Sequence, residues 1–382
     1  MEREELNLHL KNRPTQLREA QKKGIKIVGY FPGNYVPEEM IYASGAVPIC
    51  LAAVSSRHSN AALDEVPDIV CPFARAQIGQ KLLRTDEYYS MADLVIAPLT
   101  CIHMKETAEI WEYYGGTEIF KLGVPHQYDS DFGLEYYVDR LHVLKERLQD
   151  LTGNMITDEK LVSAIDLYNR IRGSLRDIAS LRRNSHPPID AIEFIKLNHA
   201  SFFADPLFYA EALERLYGRL KMKQKTEDID LPRLLLIGPN VSYGDYSILE
   251  LVKSAGGSIV VEEIFEGMKQ FSQNIKKNDD LVQSLAVGYL RDRVPSALMR
   301  NTAGIRLTHA LKVIEEYSIE GVIWYQLANC EVYDSESYFL FQKMKGHNVP
   351  MIVLESDYEA AGLRQLRLRV ETLLEQIRGQ RI

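Results

Sequence analysis

Apolar runs of strand length, each followed by a segment with helical periodicity, occur in this chain as two separate series, and that alternation restricts the fold more than any other feature. The first series has strand-like runs at 25–31, 46–51, 92–99 and 117–124, with helical segments at 37–45, 72–85 and 103–114. The second has runs at 233–239, 258–262, 321–327 and 350–354, with helical segments at 246–255, 302–317 and 362–378. Strands alternating with helices of this size pair in parallel, because each helix carries the chain back across the sheet. Between the series, Leu134, Val138, Leu141, Leu144 and Leu148, then Leu161, Ile165, Tyr168, Ile171, Leu175 and Ile178, recur at helical spacing, with breaks at Gly153-Asn154 and His186-Pro187-Pro188. A chain of 382 residues exceeds one ordinary core. The sequence therefore predicts an α/β protein of two doubly wound parallel-sheet domains. The first spans 1–130, with a short helical extension over 4–23; a helical connection covers 131–230, and the second domain covers 231–382.

The class of partner is narrowed by charge and hydropathy. A formal net charge of −8 gives no general basic footprint for nucleic acid. The cations Arg182 and Arg183 and the run Lys221 to Lys225 read as solvated faces. The charged start, Met1-Glu2-Arg3-Glu4-Glu5, leads into no apolar run, and no stretch reaches membrane-span length. A cytoplasmic protein acting without membrane or nucleic acid is expected.

Four cysteines are too sparse for a disulfide framework, and none forms a CxxC pair. Cys50, inside Ala46-Val47-Pro48-Ile49-Cys50-Leu51, reads as a small core residue on a strand. The other three share a placement. Cys71 precedes Pro72, and proline favours the first helical position, so Cys71 is an expected N-cap. A thiol there feels the exposed amides and the positive end of the helix dipole, which favour the thiolate. Cys101 ends the run Ala92 to Thr100 ahead of a helical segment from His103, and Cys330 follows Gly321 to Leu327 ahead of one from Asp334. The carboxyl ends of parallel strands line the ligand crevice of an open sheet, so such cysteines can converge from far apart in sequence, here into the cleft between domains. Three thiolates without a histidine at fixed spacing fit an iron–sulfur cluster better than zinc, which wants four closed ligands, and they leave one iron of a four-iron cluster open. Three unrelated core thiols are the competing reading.

With these residues in place the chain resembles a known family. Tyr30-Phe31, Tyr35-Val36-Pro37-Glu38-Glu39 and Ala43-Ser44-Gly45-Ala46-Val47-Pro48 are similar to the opening of the D-component subunits of 2-hydroxyacyl-CoA dehydratases and of the related benzoyl-CoA reductase subunits. Cys71-Pro72 with Gln77-Ile78-Gly79, Thr100-Cys101, Asn329-Cys330, Leu354-Glu355-Ser356-Asp357-Tyr358 and Gln365-Leu366-Arg367-Leu368-Arg369-Val370-Glu371 continue the match in order. The resemblance implies a [4Fe-4S] cluster on Cys71, Cys101 and Cys330, a paralogous subunit in a heterodimer, and a separate ATP-hydrolysing iron–sulfur activator that delivers one electron. It also implies an acyl-CoA substrate, whose thioester carbonyl becomes a ketyl radical anion that expels the 2-hydroxyl as water is eliminated. An ATP-dependent aryl- or acyl-CoA reductase subunit, and a non-catalytic electron-relay or scaffolding subunit, are the alternatives. Ile102-His103-Met104-Lys105 stands where the family often has an acidic residue and lysines, and Pro239-Asn240 where some relatives carry a further cysteine.

Secondary candidates follow from position. His103, two residues past Cys101, is placed to donate to sulfide or a thioester oxygen, and Glu38 to accept a proton, although a first-turn carboxylate also suits the helix dipole. Ser242 and Tyr243 lie between a strand and a helix, where exposed amides can hold a phosphate or thioester oxygen, and Arg306 is a candidate for the CoA phosphates.

Overall fold

The computed structural model describes residues 2–222, 230–265 and 267–381. The first half runs α1 (Glu2–Lys22), β1 (Ile27–Tyr30), α2 (Glu38–Ala43), β2 (Val47–Cys50), α3 (Ser56–Ala61), α4 (Pro72–Leu83), α5 (Glu87–Met91), β3 (Leu94–Leu99), α6 (Ile102–Tyr113) and β4 (Glu118–Gly123). Four helices follow: α7 (Asp131–Thr152), α8 (Asp158–Ser180), α9 (Ala191–Ala200) and α10 (Pro206–Met222). The second half is β5 (Arg233–Ile237), α11 (Ser247–Ser254), β6 (Ser258–Glu263), α12 (Met268–Phe271), α13 (Leu281–Leu290), α14 (Ala303–Glu316), β7 (Gly321–Leu327), α15 (Glu331–Gly346), β8 (Met351–Ser356) and α16 (Leu363–Gln380).

Both sheets are four-stranded and parallel, and they share one strand order: β2-β1-β3-β4 and β6-β5-β7-β8. The first strand of each sheet turns one way to its second strand and the other way to its third. Each sheet therefore has a switch point at the carboxyl ends of its two central strands, where a crevice opens. β7 is buried at every position, as expected for a strand covered on both faces. The residue after β5 is Gly238, where a Cβ would lie 2.2 Å from the Tyr325 carbonyl oxygen of β7, so a side chain has no room there.

One core runs continuously from the first sheet, under α7 and α8, to one face of the second sheet; a second lies among α8, α9 and α10, and a third covers the other face of β5 to β8. The helices α7 and α8 use the periodic leucines and isoleucines anticipated for them, with Leu141, Leu144, Leu148, Leu161 and Ile165 fully buried. Caps mark their starts: Ser130 accepts from the Gly133 amide and Thr157 from the Lys160 amide.

The expectation of solvated cations fails for Arg182. Its side chain is 1% exposed and grips the buried Glu262 carboxylate through both terminal nitrogens, with the guanidinium over the Phe194 ring. A buried charge needs such a partner, and Glu262 is distant in sequence, so nothing near Arg182 announces it. Arg183 is exposed, facing Glu316. Part of the Lys221 to Lys225 run lies outside the described residues. Among the described residues, no helix is long and apolar enough to cross a membrane.

Candidate functional site

All three singled-out cysteines are helix N-caps. Cys71 caps α4 with Pro72 at the first helical position, Cys101 caps α6 just past β3, and Cys330 caps α15 just past β7. α15 starts at Glu331, ahead of the Asp334 that its periodicity predicts, which brings Cys330 directly onto the helix end. The amides of Phe73 and Ala74 point at the Cys71 sulfur, those of His103 and Met104 at Cys101, and that of Tyr333 at Cys330. Sequence position thus supplies each thiol with the orphan N–H groups of a helix start.

The three converge on one chamber of about 350 Å³. Its rim comes from both switch points: Pro32 and Gly33 follow β1, Thr100 and Cys101 follow β3, Pro239 and Asn240 follow β5, and Cys330 follows β7. Phe73, Met104, Leu298, Leu327 and Val332 give the walls their mainly apolar character. The Asn329 side chain ties the Cys330 loop to the Cys71 loop, its Nδ2 donating to the Asp68 carbonyl at 3.1 Å. Asn329 holds φ +58°, a left-handed conformation that asparagine tolerates better than most residues.

The thiols are not equivalent. Cys71 is held down to about 5, first by a hydrogen bond from the Cys330 thiol, then by His103 and the amides of Ala74 and Phe73, against the opposing effect of burial. Cys330 is pushed up by giving that hydrogen bond and by burial, and Cys101 is raised by burial. The Cys71 amide donates to His103 Nδ1 at 3.3 Å. The ring also hydrogen-bonds the Cys71 sulfur, which raises His103 above the ordinary histidine range. His103 lines the chamber beside the thiols.

The remaining candidates lie elsewhere. Glu38 opens α2, capped by Pro37, and accepts a 2.6 Å hydrogen bond from the Tyr30 hydroxyl. It lines a smaller cavity that adjoins the chamber through the shared residues Pro32, Gly33 and Phe265. Burial, foremost, raises its carboxyl to about 7. Cys50 lines that smaller cavity too, apart from the other thiols and 2% exposed, as its core reading expects. Ser242 hydrogen-bonds Asn240 and the Tyr358 hydroxyl, and the Tyr243 carbonyl accepts from the Val54 amide at 3.0 Å, so this loop is spent on contacts within the chain. Arg306 lies on α14, paired with Glu336 and donating to the Ser296 carbonyl at 2.7 Å. None of Ser242, Tyr243 and Arg306 lines the cysteine chamber. Sequence reasoning quotes Asn329 only beside Cys330 and does not reach its tie, because its partner Asp68 is far away in the chain.

Among the described residues, no three or more His, Cys, Asp and Glu groups stand together as ligands for a single metal ion. Three thiols on one chamber are soft donors of the kind an iron–sulfur cluster takes.

The profile of the family described as "2-hydroxyglutaryl-CoA dehydratase, D-component" matches residues 34–377. Among known proteins, YjiM of Escherichia coli (strain K12), assigned to dehydratase subunits without being established as one, is 25% identical over 363 residues, 94% of this chain and 93% of its own. A benzoyl-CoA reductase subunit of Thauera aromatica is 23% identical, covering 92% of this chain and 91% of its own. The beta subunit of (R)-2-hydroxyglutaryl-CoA dehydratase from Acidaminococcus fermentans is 22% identical, covering 95% of each.

Proposed function

The chain belongs to the 2-hydroxyglutaryl-CoA dehydratase D-component family, and from that premise we propose that it is the iron–sulfur subunit of a 2-hydroxyacyl-CoA dehydratase, working with a paralogous subunit and an ATP-dependent activator. One observation carries the reading: three cysteines from both halves, each at a helix start, line a single apolar chamber at paired switch points.

Cys71, Cys101 and Cys330 are the residues that would hold a [4Fe-4S] cluster. When bound, the cluster supplies one-electron chemistry and an iron open to an oxygen ligand. The chain's own groups do the rest. Amides at three helix starts stabilise thiolate charge, and the apolar walls exclude water, so that charge developing on a thioester oxygen is felt strongly. His103, which lines the chamber, is the donor proposed for that oxygen. Glu38, with a carboxyl near 7, is balanced between its two forms at neutral pH, which suits a proton acceptor. Ser242 and Arg306 then act by holding the loops around the chamber through their side-chain hydrogen bonds, and Tyr243 through its carbonyl.

Similarity to the benzoyl-CoA reductase subunit favours a second reading, a subunit of an ATP-dependent acyl-CoA reductase. The test is anaerobic assay of the chain with its paralogous partner, reduced activator and ATP on 2-hydroxyacyl-CoA and aryl-CoA thioesters. Dehydration of a 2-hydroxyacyl-CoA is the expected result; ring or double-bond reduction would select the second reading. Inactivity on every thioester with the iron retained would overturn both.

A further inference from the structure

Asn240 is the side-chain amide of the cysteine chamber, and the proposed reaction leaves it unused. It follows β5 at the switch point of the second sheet, lines the chamber, and is 5% exposed. Its Nδ2 donates to Ser242 Oγ at 2.5 Å, and Ser242 Oγ in turn meets the Tyr358 hydroxyl at 3.1 Å. Tyr358 holds φ +69°, a left-handed conformation unfavourable for a bulky residue, which persists only where its surroundings fix it. The amide is thus held between the loop after β5 and the loop after β8. With Nδ2 engaged, Oδ1 is the end left over. Among the described residues Oδ1 has no hydrogen-bond partner, yet it is not closed off from the surface as the unpartnered Tyr333 hydroxyl is. A carbonyl oxygen in a mainly apolar chamber is costly until a donor completes it.

The chemistry of a thioester says which donor that is. Its carbonyl oxygen and its sulfur only accept, and an alkyl chain or aromatic ring beside them offers no donor. A hydroxyl on the neighbouring carbon is the one donor that a 2-hydroxyacyl thioester adds. An acceptor fixed in the chamber therefore separates a 2-hydroxyacyl group from an acyl or aryl group of similar size, because the latter leaves the buried oxygen unpaired.

We propose that Asn240 is a specificity-determining residue whose Oδ1 accepts a hydrogen bond from the 2-hydroxyl of the acyl group, with Ser242 and Tyr358 as positioning residues that set the direction of the amide. The ligand class rests on the dehydratase reading, and an acceptor at this place is of no use to an aryl thioester.

The test is calorimetric titration of the chain with its paralogous partner, anaerobic and iron-loaded, without activator or ATP so that no thioester turns over. The probes are lactoyl-CoA against propionyl-CoA, and 2-hydroxy-4-methylpentanoyl-CoA against 4-methylpentanoyl-CoA. In at least one pair the parent should bind the hydroxy member about tenfold more tightly, the worth of one hydrogen bond. Asn240→Leu, of similar size and without an acceptor, should keep its iron and bind both members alike. Asn240→Asp retains an acceptor and should retain part of the preference. Ser242→Ala leaves Asn240 in place and should cut the preference roughly threefold by freeing the amide to turn. Equal affinities within both pairs for the parent overturn the proposal without any variant. So does Asn240→Leu that keeps both iron and preference, which would move the hydrogen bond to the iron or to another chamber group such as His126. Parent-like preference in Ser242→Ala overturns the positioning role. A preference that depends on Asn240 in a complex that turns over no thioester after activation would fail the dehydratase reading and leave the subsite standing; turnover without the preference would do the reverse.

Discussion

The four cysteines divide by what surrounds each sulfur. Cys71, Cys101 and Cys330 sit at helix starts on one chamber, whereas Cys50 ends β2 in the core. Replacing any of the three by Ala should abolish stable four-iron loading, read by iron and sulfide analysis with electron paramagnetic resonance after anaerobic reconstitution. Cys50→Ala should keep its iron and cost about 1 kcal/mol of packing. Full iron in the Cys330 variant, or stoichiometric zinc in place of iron in the parent, would refute the ligand set. Glu38 makes a separate prediction through pH. Its carboxyl titrates at about 7 in the folded chain, against an ordinary value of 4.5. The native state then holds the proton more tightly than the unfolded one. Glu38's contribution to stability is therefore fully present below pH 4.5, is lost as pH rises through about 7, and is flat above. At roughly 1.4 kcal/mol per unit, the loss is about 3 kcal/mol. Glu38→Gln should flatten that window in urea unfolding at pH 5, 6 and 8; an unchanged slope in the variant would assign the effect to other groups.

The elements best anticipated from sequence are those whose local chemistry agrees with their packing. The buried parallel strands read as unbroken apolar runs, and proline at the first turn of α4 marks its start. The short helices α3 and α5 escape detection, since one or two turns establish no period. Arg182 and Asn329 are illegible for a different reason: their partners are supplied by tertiary packing. The α3–α4 contact shows how tightly such packing is specified. At Gly79 an added Cβ would lie 1.9 Å from the His58 carbonyl oxygen, so Gly79→Ala should force the two helices apart. A cost of about 1–3 kcal/mol is expected by thermal melting. Gly218 on α10 has open space around it, and Gly218→Ala should stabilise by about 0.5–1 kcal/mol through helix propensity. Equal effects of the two substitutions would show that the α3–α4 approach is not constrained as described.

At the scale of the molecule, the halves are sewn together on several lines. Ala53 bridges to Tyr243 and Gln127 to Arg300, each as parallel backbone pairing, and the Tyr35 hydroxyl meets Ser296 at 2.8 Å. Asn329 adds the tie between the Cys330 and Cys71 loops. Asn329→Gly keeps the left-handed backbone and removes only the tie, so its melting should stay within about 1 kcal/mol of the parent while iron bound per chain falls. Asn329→Ala should lose the tie and add backbone strain of about 1–2 kcal/mol. Parent-like iron loading in the Gly variant would show that the tie does not organise the cysteines.

Those seams lie on the same two halves that divide the thiols between them. Cys330 belongs to one half and Cys71 with Cys101 to the other, so a hinge motion that opened the chamber between them would draw Cys330 away from the other two sulfurs. A group held by all three thiols would fasten the halves as a pin fastens a clasp, and parting them would mean letting it go.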